Sequence, residues 1–319
     1  MTLPRLTVAI CTWNRAELLR ATLCNITRLE IPGSLEWELL VVNNNSNDAT
    51  ETVLEEFSDR LPLRRLWEPR PGVSYARNLA VLEAAGDYIL WTDDDVHPDT
   101  NWVRAYLNAF QRWPEAALFG GPITPWFEGT PPPWLERVLP AVGSAFAQRD
   151  LGDTPLPLDA TREVLPFGAN FAVRMREQRR FPYHEKLGRK AGGLLGGEEM
   201  AVMAHVLKSG CSGWWVPDAP VRHYLPKSRQ TRSYLRKYFA GMGEFWTTSG
   251  AGFEGPSVCG APRYLWKEAI VEELRYRVHL LTRPPEKWIH TLVDSSVLWG
   301  ELHGWRKHSS ASRGQSRVG

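Results

Sequence analysis

The sequence predicts an α/β protein with a mostly parallel central sheet, helices on both faces and a C-terminal helical extension. Two observations predict it. Short apolar, β-rich runs alternate with helical patterns over the first 120 residues, as βα units of a doubly wound sheet do. Three of those runs also end in polar clusters, at Thr12 to Arg15, Asn43 to Asp48 and Asp93 to Asp95. In open α/β sheets ligands bind beyond the carboxyl ends of the strands, so three converging clusters mark a site.

The elements follow in order. Leu6 to Cys11 is the first strand, and Asn14 with Glu17 has capping-box spacing for a helix to about Arg28. Leu39 to Val42 is a second strand, after which Asp48 or a neighbour caps a helix reaching Phe57. Leu63 to Trp67 is a third. A helix from Ser74 to Ala85 stops at Gly86, where a left-handed residue is favoured. Tyr88-Ile89-Leu90-Trp91 then runs into Asp93-Asp94-Asp95. Gly121 to Pro166 is rich in Pro and Gly and reads as long irregular loops within the same domain. Helices are expected over Gly197 to Leu207, Thr231 to Phe245 and Glu286 to Leu302, with a short strand at Trp214 to Val216 and a disordered basic tail from Arg306.

Bulk composition narrows the class. A hydrophobic fraction of 43% and a charged fraction of 23% are those of a globular protein with an ample core. A net charge of +2 supplies no field for nucleic acid. The 15 tryptophans are assigned mainly to core packing. Four cysteines without C-x-x-C spacing suit a reducing cytoplasm. The apolar run at the N-terminus is too short for a signal peptide, and no segment reaches the ~20 apolar residues of a membrane span. The basic aromatic helix with Tyr234, Leu235, Tyr238 and Phe239 beside Arg232, Arg236 and Lys237 either packs on the preceding α/β domain or rests on an anionic membrane surface. The expected location is therefore the cytoplasm, with peripheral contact at the cytoplasmic face as the alternative.

Three adjacent carboxylates at a buried strand's exit need a compensating cation. Hard carboxylate oxygens suit Mg2+ or Mn2+, which keep open positions for phosphates. Residues at i and i+2 of an extended chain point alike, so Asp93 and Asp95 share one side and Asp94 faces another.

Several segments resemble glycosyltransferase family 2. Pro71 to Asn78 (PGVSYARN), Gly86-Asp87-Tyr88 and TDDDVHPDTNW are similar to its nucleotide-sugar half. CTWNR and VVNNNSNDAT resemble its first two loops. PFGANFAVR, KLGRKAGGLLGGEEMAVMAHVLKSG and VPDAPVRHYLPKSR resemble its later segments in the family's order, over roughly residues 5 to 245. The resemblance implies a GT-A fold, Rossmann-like and nucleotide-binding, with residues 1–120 as the nucleotide-sugar half, 121–245 as the acceptor half and 246–305 as the helical extension.

It also implies roles. Thr12, Asn14 and Arg15, with Asn43 and Asn44, lie around the nucleotide base, and Arg77 faces the base or phosphates. Asp93 and Asp94 join the nucleotide-sugar set. Asp93, Asp95 and His223 hold Mn2+ or Mg2+, Asp95 as main ligand. Asn43 stands where many members have Asp, which leaves the base open. Glu199 closes the acidic pair as general base in inverting transfer, and Glu198 is the other candidate. Lys227, Arg229 and Arg232 are candidates to neutralise diphosphate from a closing loop.

The implied partners are a nucleoside-diphosphate sugar, with UDP favoured, and a glycan, lipid-linked or small-molecule acceptor. The acceptor site falls to Trp126 to Trp134, Phe146 to Leu165, Lys186 to Leu195 and the C-terminal helices. Two other classes compete. A nucleotidyltransferase of Rossmann-like fold would open with a Gly-rich loop, which Cys11 to Arg15 lacks. A non-catalytic carbohydrate-binding protein would have no use for a base.

Overall fold

A computed structural model describes residues 3–162, 164–185, 197–249 and 255–315. The chain divides into two compact units, the first built from residues up to Trp126, most of 147–192 and the stretch ending at Tyr224, the second from 127–146 and the chain after Leu225. This division differs from a split at residues 120 and 245, because the helix that crosses residue 245 is continuous and belongs to the second unit.

The first unit opens with β1 (Leu6–Thr12), α1 (Ala16–Ile26), β2 (Trp37–Asn43), α2 (Thr50–Glu56), β3 (Leu63–Trp67), α3 (Val73–Glu83) and β4 (Tyr88–Asp93). It continues with β5 (Val96–Pro98), α4 (Trp102–Arg112), β6 (Leu118–Gly120) and β7 (Ile123–Phe127). After α5 (Pro133–Val142), which belongs to the second unit, come β8 (Phe171–Arg174), α6 (Met175–Arg180), α7 (Glu198–Lys208), β9 (Gly213–Trp215) and β10 (Val221–Leu225). Seven strands form one sheet in the order β3-β2-β1-β4-β8-β6-β9. The first four are parallel, and β8 alone runs antiparallel to its neighbours β4 and β6. Apolar cores fill both faces. Leu6, Val8, Ile10, Leu39 and Val41 point to one, and Ala9, Leu40, Val42, Ile89 and Trp91 to the other, the alternation a two-sided buried sheet requires. Trp91, Trp102 and Trp215 are fully buried, as core tryptophans should be.

Register sets the site. Thr12 pairs with Asn43 and Cys11 with Asp93, so the polar clusters leave the sheet at one level. A smaller sheet, β5-β10-β7, lies beyond that edge and carries His223 opposite Val96.

Local chemistry corrects several expectations. α1 is not closed by a capping box: Arg15 occupies the cap, and the Ala16 N–H donates instead to Asp48 Oδ2 at 2.9 Å, an acceptor brought by the neighbouring loop. Asn14 sits at φ 51, a left-handed turn that Asn tolerates; its N–H donates to Ser46 and its Oδ1 accepts from Asn47. α3 ends at Glu83 with an extended Ala84, so Gly86 is not its left-handed stop. Gly86 is required by proximity: a Cβ there would lie 2.5 Å from the Thr7 nitrogen. The Pro-rich stretch after Gly121 is not wholly irregular. It holds β7 and α5, whose Pro133 stands in the first turn, where the missing N–H removes no hydrogen bond.

In the second unit, α5, α8 (Arg232–Ser249), α9 (Arg263–Thr282) and α10 (Pro285–Gln315) surround Leu135, Phe146, Leu235, Phe239, Trp288, Ile289 and Leu292, with a two-stranded hairpin, β11 (Ser257–Val258) and β12 (Ala261–Pro262), ahead of α9. α9 has no counterpart in the sequence reading. α10 carries on to Gln315, where a disordered tail was expected from Arg306; no proline interrupts its hydrogen-bond ladder there. Among the described residues no helix is long and apolar enough to cross a membrane. Tyr234, Leu235, Tyr238 and Phe239 of α8 all face the second unit's core, so that helix packs by its aromatic side.

Asn170 ties the first unit together. Its Oδ1 accepts from Trp102 Nε1 at 2.9 Å and Tyr106 OH at 2.8 Å, and its Nδ2 donates to the carbonyls of Pro122 and Ala219. Asn170, Trp102, Tyr106 and Ala219 are buried, where a stranded polar group costs about 1–3 kcal/mol. Asn170→Leu is expected to lower unfolding free energy by about 3 kcal/mol or more in urea titrations. A loss under about 1 kcal/mol would contradict this role.

Candidate active site

β4 ends at Asp93, and Asp94 and Asp95 form the turn that follows, so the turn and not an extended strand sets where these carboxylates point. Asp94 turns inward. Its Oδ2 accepts from Thr12 Oγ1 at 2.7 Å, its Oδ1 from Arg15 Nη1 at 2.8 Å, and its carbonyl from Thr22. Asp93 and Asp95 turn the other way and meet His223 from β10. One donor atom from each of the three lies within 4.8 Å of the others, and His223 Nε2 stands 3.3 Å from Asp95 Oδ1. The buried His223 Nδ1 has no hydrogen-bond partner among the described residues. Two carboxylates and an imidazole converging in this way fit a divalent cation.

A second cluster adjoins the first through Arg77 of α3. This guanidinium is buried, lies over the rings of Trp91 and Tyr183, and donates from Nη2 to Glu199 Oε1 at 2.7 Å. The same Nη2 is 3.8 Å from Asp93 Oδ1, and Nε is 4.0 Å from Glu198 Oε1. Burial works against its charge, but Glu199, Glu198 and Asp93 hold it cationic. Glu198 and Glu199 occupy the first turn of α7, entered through Gly197 at φ 105. Gly168 makes the room: a Cβ on it would come 2.8 Å from the Glu199 carboxyl carbon.

Charge is unbalanced here. Among the described residues five carboxyl groups (Asp93, Asp94, Asp95, Glu198 and Glu199) face two guanidinium groups, Arg15 and Arg77. The strain shows in their proton affinities. Burial pushes Asp94 up to about 6, with Arg15 and Asp95 pulling in opposite directions. Asp93 is raised by its surroundings and by Asp95, against the pull of Arg77. Burial and then Glu199 push Glu198 up to about 8, against Arg77.

Other expected site residues hold the framework together. Asn44 donates to the carbonyls of Glu68 and Arg70 and accepts from the Gly72 N–H, so its amide organises the loop leading into α3. Asn43 donates to Glu51 and accepts from Ser46 N–H. Thr12 and Arg15 grip Asp94, and Arg15 also reaches Asp95 at 2.9 Å. Arg77 reaches carboxylates. The segment Lys186 to Leu195 lies outside the described residues, and Lys227, Arg229 and Arg232 lie in the second unit. Sequence reasoning did not assign Gly168, Asn170 or Tyr183 a role, and it gave Asp48 only a cap on α2, not its hydrogen bond to the start of α1. Gly168 and Asn170 stand in the quoted GAN segment, the one signal that could have found them.

Residues 7–163 match the family model described as glycosyl transferase family 2. The succinoglycan biosynthesis protein ExoM of Rhizobium meliloti is 23% identical over 72% of this chain and 70% of its own length. The glycosyltransferase AglE of Haloferax volcanii is 34% identical over 32% of this chain and 34% of its own, so the chain spans about a third of that relative. Among solved structures, the mannosyltransferase PcManGT from Pyrobaculum calidifontis, in complex with GDP-Man and Mn2+, superposes with a TM-score of 0.60 at 17% identity, over 95% of this chain and 87% of that one. TarS residues 1–349 from S. aureus give 0.56 at 14% identity, over 93% and 90%. Through residues 7–163 the chain belongs to glycosyltransferase family 2, and it is built on the GT-A fold.

Proposed function

We propose that the chain moves a sugar from a nucleoside-diphosphate donor, a UDP-sugar, to an acceptor hydroxyl with inversion, in the building of a glycan or polysaccharide. The observation that carries this reading is one continuous set of contacts: Asp93, Asp95 and His223 converge, and Arg77 joins Asp93 to Glu199. Asp93, Asp95 and His223 would hold Mn2+ or Mg2+, which would neutralise the donor's diphosphate and ease its departure. The structural neighbours are complexes with GDP-Man and Mn2+ in one case and with UDP-GlcNAc in another, which supports a nucleotide-sugar donor without choosing the base.

Glu199 is the proposed general base. In an inverting transfer the acceptor oxygen bonds to the anomeric carbon as the bond to the diphosphate oxygen breaks, and the hydroxyl proton must go to a base. Glu198 is poorly suited, because a carboxyl with its proton affinity raised to about 8 is already protonated at neutral pH. Glu199 accepts a hydrogen bond from a fixed cation, which favours its ionised form. Arg77 acts as a positioning residue for that carboxylate. Trp126, stacked on by Arg222 and set edge-on to Tyr224 beside His223, supplies an aromatic surface for the acceptor. Cytoplasmic residence remains part of the proposal.

Two variants test the division of labour. Glu199→Gln should bind UDP in the presence of Mn2+ as the parent does, yet lose ~10²- to 10⁴-fold in turnover across a screen of UDP- and GDP-sugars. Normal turnover in that variant would remove Glu199 from the role. Glu198→Gln should keep transfer. Because its raised carboxyl binds a proton that the unfolded chain releases above about pH 4.5, Glu198 increasingly destabilises the fold as pH rises towards about 8. The Gln variant's stability advantage should therefore grow by on the order of a few kcal/mol between about pH 5 and about pH 8.5. Parallel melting profiles for parent and variant would show that Glu198 is not held protonated.

A further inference from the structure

Helix α9 is apolar on two opposite sides. Leu265, Ala269 and Tyr276 are buried in the core of the second unit. The other side leaves Val271, Leu274, Val278 and Leu281 in the open, at 44%, 58%, 58% and 87% exposure. Such a contiguous apolar stripe on a soluble surface implies an occupant.

Its spacing says which. From Tyr264 the stripe runs through Lys267, Val271, Leu274, Val278 and Leu281, alternating steps of three and four residues. That is a 3.5-residue repeat, the period of a left-handed two-helix seam. With Tyr264 at position a, Val271 and Val278 also fall at a, and Leu274 and Leu281 at d. In a parallel coil, valine at a with leucine at d favours two strands. The flanks agree. In that arrangement each g residue faces the e residue five positions on in the other helix. Arg263 then meets Glu268 of opposite charge, Ile270 meets Arg275, and Arg277 meets Thr282, with no like-charged pair. Lys267, at d, lays its aliphatic stem along the seam and carries its ammonium to the rim, which fixes the register.

An anionic bilayer fits less well. The rim mixes signs, and Arg275 and Arg277 are already paired with Glu272 at 2.7 Å and Glu273 at 2.9 Å. Three heptads, ~30 Å of helix, are marginal as an isolated coil. α9 is already held helical by its buried side, so pairing need not supply that ordering. We propose that α9 joins α9 of a second copy of this chain as a parallel two-stranded coiled coil with Val271, Leu274, Val278 and Leu281 in the seam.

Sedimentation of the full chain over a concentration series tests this. The parent should be a dimer, and Leu274→Glu should raise the dimer dissociation constant roughly 100-fold or more, since the loss occurs in both copies. Its circular dichroism should be unchanged, because the position is exposed, and its melting should match the parent's at concentrations where the parent is itself dissociated. In a Cys259→Ser background, Leu281→Cys should form an interchain disulfide on mild oxidation, since equivalent d residues adjoin only in the parallel register. A parent that stays monomeric at about 100 μM, whether or not it floats with anionic vesicles, would overturn the proposal. So would a dimer indifferent to Leu274→Glu, or a dimer in which Leu281→Cys does not cross-link.

Discussion

Carboxyl groups crowd the carboxyl edge of the sheet more densely than the described cations can balance, and much of the surrounding architecture follows from that imbalance. Asp94 is tolerated inside because Thr12 and Arg15 hold both its oxygens. Arg77 is tolerated inside because Glu199, Glu198 and Asp93 surround it, with two aromatic faces beneath. A buried guanidinium and buried carboxylates are each unfavourable alone, so neither cluster is tolerable without the other. Asp93 and Asp95, reached by Arg77 and Arg15 respectively, also converge on an imidazole with an unpaired buried nitrogen. Together the three form a candidate site for a divalent cation.

The framework keeps the arrangement rigid through groups that do no chemistry. Asn170 joins β8 to α4 and to the loops at Pro122 and Ala219, the latter two residues before β10. β10 carries His223, so this one amide fixes the approach of the imbalance's third donor. Gly86 lets the start of β4 pass close to β1, and Gly168 leaves space for the Glu199 side chain. The framework thus rests on positions that matter for what they lack as much as for what they carry.

Much of this was legible in the sequence where a strong local signal coincided with a long-range one. Three of the four parallel strands were visible as apolar runs and β3 as LRRLW, whereas the convergence of Asp93 and Asp95 comes from the turn at Asp94-Asp95 and not from strand alternation. His223 was legible only through the resemblance, since nothing local distinguishes a ligand from a core histidine. Asn14, Asn43 and Asn44 were placed around a base by the resemblance, Asn43 with an amide that offers both donor and acceptor. In the fold their side chains bond Asn47, Ser46, Glu51, Glu68, Arg70 and Gly72, partners that only the packing of neighbouring loops supplies. α9 escaped notice because it is apolar on two sides, which cancels the one-sided periodicity by which an amphipathic helix is recognised. α5 was hidden by its prolines: Pro133 suits the first turn, but Pro140 stands inside the helix, where proline ordinarily signals a break.

The account stands on the pairing of Asp93, Asp95 and His223 as a divalent cation site. Diffraction from crystals soaked with Mn2+ and UDP, collected at the manganese edge, addresses it without passing through turnover. An anomalous peak within bonding distance of all three side chains and of the diphosphate is the predicted result, absent from Asp95→Ala crystals. Ordered UDP with no anomalous peak among those side chains would contradict it.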